Sequence, residues 1–359
     1  MKRILAFVLL LCLALTGCAP ARQEPSISVD QTSQTTGETT EEATVETTEE
    51  VVLYRHPLTG EMSEELYTGR PTAVVINNIK ACLPQHGISE ADMIYEFEVE
   101  GSTTRLLAIF SDFDGVGSIG PIRSDRTYFN NVSASYDIPV IHCGGSDKAL
   151  AGMYDDTNKL SDWEHINESS NPKYFYRDAE RKGKYAREHT LFTTGEKLIE
   201  ALSDKGLNTV YESGVDYGLV FMDEPMLTGE PASTVTVKFR AGKNTTLTYN
   251  EQTGLYEAYQ HKQNHMDAGT GEQMAYRNVL VLTAKQWISG KKARAYYDMI
   301  GTGEGFFACD GQLVPIKWSR ESVDEPFVYT FADGTPLTLG VGKSYIGVIS
   351  DTKGKITCE

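Results

Sequence analysis

Basic residues are in short supply: 33 lysines and arginines face 50 aspartates and glutamates, a formal net charge of −17. A surface of that sign repels nucleic acid and anionic lipid, since both are bound through basic patches. Cysteine is sparse too, with six in 359 residues and no Cys-x-x-Cys pair, which argues against a zinc site built on thiolates. The one long apolar run, Ile4 to Ala14, falls short of the roughly 18 residues that a membrane-crossing helix needs. No complete catalytic or cofactor motif is found, so no cofactor and no metal are expected.

What is there begins with Met1-Lys2-Arg3, the apolar run, and small residues ahead of a cysteine, the grammar of a secretory signal over residues 1–17. Leu15-Thr16-Gly17-Cys18 resembles the bacterial lipobox. That resemblance implies that the thiol of Cys18 is acylated and that Cys18 is the mature N-terminus. Several chains, each worth about 0.8 kcal/mol per buried methylene, make such an anchor stable. Residues 18–52 are mostly Thr, Glu, Ser, Gln and Pro, with eight acids against the single base Arg22. This composition predicts a disordered acidic tether, averaging roughly 30 Å end to end.

The remaining chain is long for one core, so two domains are expected. Over residues 53–222, strand-like runs such as Thr72 to Ile76 and Arg105 to Phe110 alternate with helical patterns at 126–136, 146–154 and 195–205, which predicts a mixed α/β domain. Over residues 233–350 alternating strands take over, and Asp310-Gly311 and Asp333-Gly334 mark hairpins. The fold class expected is α+β, with an antiparallel β-rich second domain. Cys82, Cys143, Cys309 and Cys358 are read as free thiols, although an exported chain permits disulfides.

Arg70 to Asn78, Leu83 to Asp92, Ile119 to Ser124, His142 to Ser146, Gly301-Thr302-Gly303 and Lys317-Trp318 together resemble the YerB-like lipoprotein family from about His56 to Ser350. The resemblance implies a two-domain lipoprotein of mostly Gram-positive bacteria, held outside the membrane, without an assigned reaction. Two residues depart from the family's motif: Leu83 stands where arginine is frequent and His86 where serine is frequent.

Candidate binding residues centre on Arg123 and Arg126. Ser124-Asp125 before a helical pattern predicts a cap, which would place both arginines near a helix N-terminus that attracts anions. Guanidiniums there suit carboxylate or phosphate. Glu96, Glu98 and Glu100 alternate along one predicted strand and share a face, so Arg105, Arg123 and Arg126 are expected to neutralise them, with one arginine left to grip an anionic ligand. Gly144-Gly145 between strand and helix is a candidate anion cradle. Ser146 with His142 as base, or His189, is the catalytic candidate. Glu96 and Glu100, roughly 13 Å apart by rise, are too distant for a glycosidase pair. His261 and His265 have zinc-like spacing without the glutamate of the metalloprotease pattern, and are read as part of a hairpin with His265 and Asp267 at its rim. The many tyrosines are read as core.

Two functions follow. The favoured one is a non-catalytic module on the outer face of the cell membrane, anchored by palmitate-type acylation at Cys18, that binds or regulates a cell-wall component or a membrane-bound wall-synthesis enzyme and not nucleic acid. The alternative is a hydrolase or transferase acting on wall polymers.

Overall fold

The computed structural model describes residues 51–225, 227–239 and 242–359. The expected signal segment, Cys18 and the expected tether up to residue 50 lie outside the described residues. Among the described residues no helix is long and apolar enough to cross a membrane.

An eleven-stranded sheet runs through both halves of the sequence. Its order is Glu230–Pro231, Gln312–Arg320, Gly301–Cys309, Asn278–Ala284, Ser344–Ser350, Met93–Val99, Thr103–Phe110, Thr72–Asn78, Val140–His142 and His165–Asn167, with Val328–Phe331 added on Gln312–Arg320. The junction between early and late sequence is the parallel pairing of Met93–Val99 with Ser344–Ser350. Both of these strands are buried along their whole length. A strand buried on two faces reads as a near-continuous apolar run, as Thr72–Asn78 does.

Because side chains alternate across a strand, Met93–Val99 feeds two cores. Met93, Tyr95, Phe97 and Val99 pack with Tyr128, Phe129, Tyr297 and Trp318. Ile94 points into the other core with Val281, Tyr345 and the apolar face of a second, six-stranded sheet, including Val235, Val237 and Leu247. Thr234–Lys238 alternates buried and half-buried residues, the pattern of a strand with one face on a core. Each core thus draws on both halves of the chain. Most of the tyrosines are interior, including Tyr174, Tyr217, Tyr256, Tyr296 and Tyr297, whereas Tyr259 is exposed.

Among the described residues of the first half lie three α-helices: α1 (Thr127–Ser135), α2 (Asp147–Leu150) and α3 (Gly195–Asp204). The α3 start is capped by Thr194, whose hydroxyl accepts from the Lys197 amide at 3.2 Å. The helical pattern at 146–154 yields only the short α2. Gly152 takes φ +75° and the Met153 amide returns to the Lys148 carbonyl at 3.1 Å, a Schellman stop. The Asp310-Gly311 hairpin forms as expected, with both residues at positive φ between Gly301–Cys309 and Gln312–Arg320, the requirement of a tight two-residue turn.

Candidate functional site

Ser124 and Asp125 do not cap α1. Residue Arg126 occupies the cap position, without a side-chain cap bond. The reason is that residues 122–125 are drawn out as extended backbone between neighbours. The amides of Ile122 and Arg123 donate to the carbonyls of Leu191 and Val75, each at 2.8 Å, and the Cys143 amide donates to the Arg123 carbonyl at 3.0 Å. The amide of Asp125 then donates to the Gly144 carbonyl at 2.9 Å. The Asp125 carboxyl is left fully buried beside its own helix start, where burial pushes its pKa up to about 7.

That threading aims the Arg123 side chain into a pocket of about 230 Å³, lined also by Ser124, Cys143, Arg177, Arg187 and Glu188. Among the described residues the Arg123 guanidinium has no acid partner, and its buried Nε lacks any hydrogen bond. Arg177 donates to the Arg187 carbonyl at 2.8 Å and lies 3.9 Å from Glu168. Burial, reinforced by Glu168, pushes the Cys143 thiol up to about 11, so this lining atom stays neutral. Three guanidiniums therefore share a small cavity that has one carboxylate, Glu188, in its wall. Such forks suit a carboxylate or phosphate oxygen.

His189 lies buried close behind this pocket, with Nδ1 accepting from Asn77 Nδ2 at 2.9 Å. Burial, together with the charges of Arg123 and Arg181, lowers its pKa. The pocket thus brings together segments near Arg123, His142 and His189, but His142 itself faces elsewhere. Its Nδ1 donates to the Gly144 carbonyl at 2.8 Å and its Nε2 accepts from His165 at 2.9 Å. Burial holds it down to about 4.

Ser146 accepts from the Ala149 amide at 3.3 Å and caps α2; it makes no hydrogen bond to His142 among the described residues. Ser146→Ala is accordingly expected to cost about 1 kcal/mol of stability, read in a urea melt. A loss several times larger would reveal a role beyond the cap. The Gly144 amide is occupied by Asn167 Oδ1 at 2.9 Å, and neither Gly144 nor Gly145 lines the pocket. The glycine pair serves the turn.

Of the expected acid–base network, the pair Arg126–Glu100 forms. Arg126 grips Glu100 with Nε at 3.0 and 3.1 Å and Nη2 at 2.6 Å, and Arg294 adds 3.0 Å. Burial would raise the Glu100 pKa, but these arginines outweigh it and hold it down to about 2. Arg105 is buried and donates to the Ser124 carbonyl; burial, with Arg126 and Arg123 nearby, lowers its pKa to about 9.

Glu96 goes to a different cation. It lies 3.3 Å from Lys243 and accepts from Asn78, Thr104, Thr245 and Tyr345. Sequence spacing missed Lys243, Arg294 and Arg177, because each arrives from a distant segment with no local signal.

Among the described residues no group of three His, Cys, Asp or Glu side chains is placed to hold a metal. His265 is buried instead of lying at a rim, bonded to Gln85 at 3.1 Å. Asp267 is buried beside it, accepting from the amides of Gly87, Ser89 and Gly269. All four cysteines downstream are free.

A larger cavity, about 800 Å³, is lined by His56, Glu65, Tyr67, Arg70 and Asp112 together with apolar residues such as Phe110, Ile199 and Leu202. Three of its polar groups are already engaged: Tyr67 donates to the Ser111 carbonyl at 2.8 Å, Arg70 pairs with Asp137 and Glu164, and Asp112 accepts from the Phe113 amide at 2.6 Å. The smaller pocket at Arg123 instead holds a buried guanidinium nitrogen with bonding capacity left over.

Residues 58–208 match the DUF3048 N-terminal domain and residues 235–346 the DUF3048 C-terminal domain, both described as belonging to proteins of unknown function. These two matches, on a strand-rich chain, give a two-domain architecture. YerB of Bacillus subtilis (strain 168), a candidate lipoprotein by its name, is 28% identical over 313 residues, spanning 82% of this chain and 86% of its own. The crystal structure of the Bacillus subtilis YerB protein aligns with a TM-score of 0.71 at 25% identity, covering 85% of this chain and 99% of that one.

Proposed function

Because this chain belongs to the YerB-like lipoprotein family, we propose that it is anchored through acylated Cys18 on the extracytoplasmic face of the cell membrane and works there as a binding or regulatory module. Residues 18–52 serve as the tether. The mixed α/β region, residues 53–222, carries the recognition site, and the β-rich region, residues 233–350, completes the sheet. The partner is an anionic group on a cell-wall component or on a membrane-bound wall-synthesis enzyme. The carrying observation is Arg123, a partly buried guanidinium without an acid partner among the described residues, in a pocket shared with Arg177 and Arg187. A cation left unpaired in a partly desolvated site is costly, and an anion brought from outside offsets that cost. Arg105 supports the pocket from behind by holding the Ser124 carbonyl, whereas Arg126, Glu96 and Glu100 are engaged in ion pairs outside its lining.

The hydrolase or transferase alternative draws no support from the geometry: His142 is committed to Gly144 and His165, and Ser146 to its helix.

Calorimetric titration of the full chain, solubilised in detergent, with inorganic phosphate and with acetate tests the pocket. At least one anion is expected to bind, and Arg123→Gln to weaken it roughly tenfold to a hundredfold, the worth of a charged hydrogen bond. Unchanged affinity in the variant defeats the reading. Release of fragments from wall polymers by the intact chain, lost in His142→Ala, would favour the enzyme instead.

A further inference from the structure

A second site lies where the two family segments meet. The strands Leu255–Gln260 and Gln263–Asn264 are joined by His261-Lys262, and both turn residues have positive φ, +51° and +69°. Tight hairpins of this kind favour Asn-Gly, because other side chains are strained there. Strain of this sort is retained where the side chains themselves are needed.

Both side chains face a cleft of about 530 Å³. One wall, with Lys80 and Thr103, comes from the early sequence; the other, with Lys243, Tyr259, His261 and Lys262, comes from the late sequence. No aspartate or glutamate lines it, in a chain of net charge −17. The Lys243 ammonium is turned inward to Gln260 at 2.6 Å and to Glu96. By contrast, Lys80 and Lys262, both lining the cleft, make no ion pair or side-chain hydrogen bond among the described residues.

Burial and the charges of Lys243 and Lys80 lower the His261 pKa, and the imidazole shares the cleft lining with Lys80, Lys243 and Lys262 while its Nε2 meets the Asn78 carbonyl at 3.4 Å. Tyr259 is 40% exposed beside them, a flat apolar face of the kind that stacks on a ring. A concave site walled by one sign of charge concentrates ions of the other sign, and clefts at domain seams are favoured ligand positions.

We propose that this cleft binds an anionic saccharide, with the sugar ring on Tyr259 and its carboxylate or phosphate group between Lys80 and Lys262. The site is separate from the Arg123 pocket, and the two stand or fall independently.

The test uses the full chain carrying Arg123→Gln, so that the other pocket contributes nothing. Calorimetric titrations with glucuronic acid, glucose 6-phosphate and neutral glucose are compared at low salt. At least one anionic sugar is expected to bind tenfold or more tightly than glucose, and the stronger of the two identifies whether carboxylate or phosphate is the natural group. Binding of neither anion, or of glucose equally well, overturns the proposal.

A second arm replaces the strained turn by His261→Asn with Lys262→Gly. The melting temperature is expected to rise while affinity for the anionic sugar falls at least tenfold. Unchanged affinity, or a lower melting temperature, would show that the two residues are not held there for a ligand.

Discussion

Replacing Lys243 with methionine is expected to lower the unfolding free energy by about 3–5 kcal/mol, the usual consequence of stranding one member of a buried ion pair. Glu96 is 1% exposed and Lys243 7%, so water cannot take over from the missing ammonium. Burial alone would raise the Glu96 pKa. The Lys243 charge and the hydroxyls of Thr104, Thr245 and Tyr345 outweigh it and hold the carboxylate below its ordinary value.

A carboxylate depressed in this way contributes stability that is complete above its unfolded pKa of about 4.3 and fades as pH falls through the lower folded value. The variant is therefore expected to differ most from the parent at neutral pH, and the gap is expected to close in acid, when the stranded Glu96 takes up a proton. Urea midpoints between pH 3 and 7 give the comparison. Adding Glu96→Gln to Lys243→Met should recover much of the loss at neutral pH, since no buried charge then remains. If Lys243→Met by itself is harmless, the pair does not hold the segments together.

Cutting the chain between residues 223 and 229 is expected to leave two pieces, neither of which unfolds cooperatively alone, while the mixed pieces regain a single transition. Within that connection Asp223 and Glu224 are exposed whereas Pro225 and Leu227 are buried, so the break is placed at Asp223-Glu224, where it does little harm itself. The separated pieces each lose a sheet neighbour, because Met93–Val99 pairs with Ser344–Ser350 over five residue positions from Ser344↔Met93 to Val348↔Phe97. Both strands would become long apolar edges, the kind that pair with other chains.

The cores would be halved as well. Phe97 stacks on Tyr128 at 4.8 Å between ring centres and meets Tyr297 edge-on at 5.2 Å. The fully buried Arg320 donates to both the side chain and the carbonyl of Asn131 in α1. Circular dichroism melts of each piece and of the mixture would decide. A first piece that melts cooperatively alone would show that the family's two segments are independent folding units joined only in space.

Local features were readable because their causes are local. The Asp310-Gly311 turn follows from what two adjacent positive-φ positions accept, and α3 from Thr194 ahead of an amphipathic run. Strands such as Thr72–Asn78 showed themselves as unbroken apolar runs. The Arg126–Glu100 pair was within reach because a glutamate strand inside the protein demands cations, and only a few arginines lay nearby in sequence. Choosing among those cations was beyond sequence. Lys243 took Glu96, Arg294 joined Glu100, and Arg123 was released to the pocket with Arg177 and Arg187.

Composition and pattern by themselves gave an acidic chain, the expectation of export and lipid attachment, a division into two domains, and the residues from which an anion site would be drawn. Tertiary structure alone decided that the two segments share one sheet and two cores, and that Arg123 faces a pocket with no acid partner among the described residues. The physical reason is that turn and strand preferences are set by a residue and its neighbours in sequence, whereas the partner of a buried charge is set by whichever distant strand the fold lays beside it.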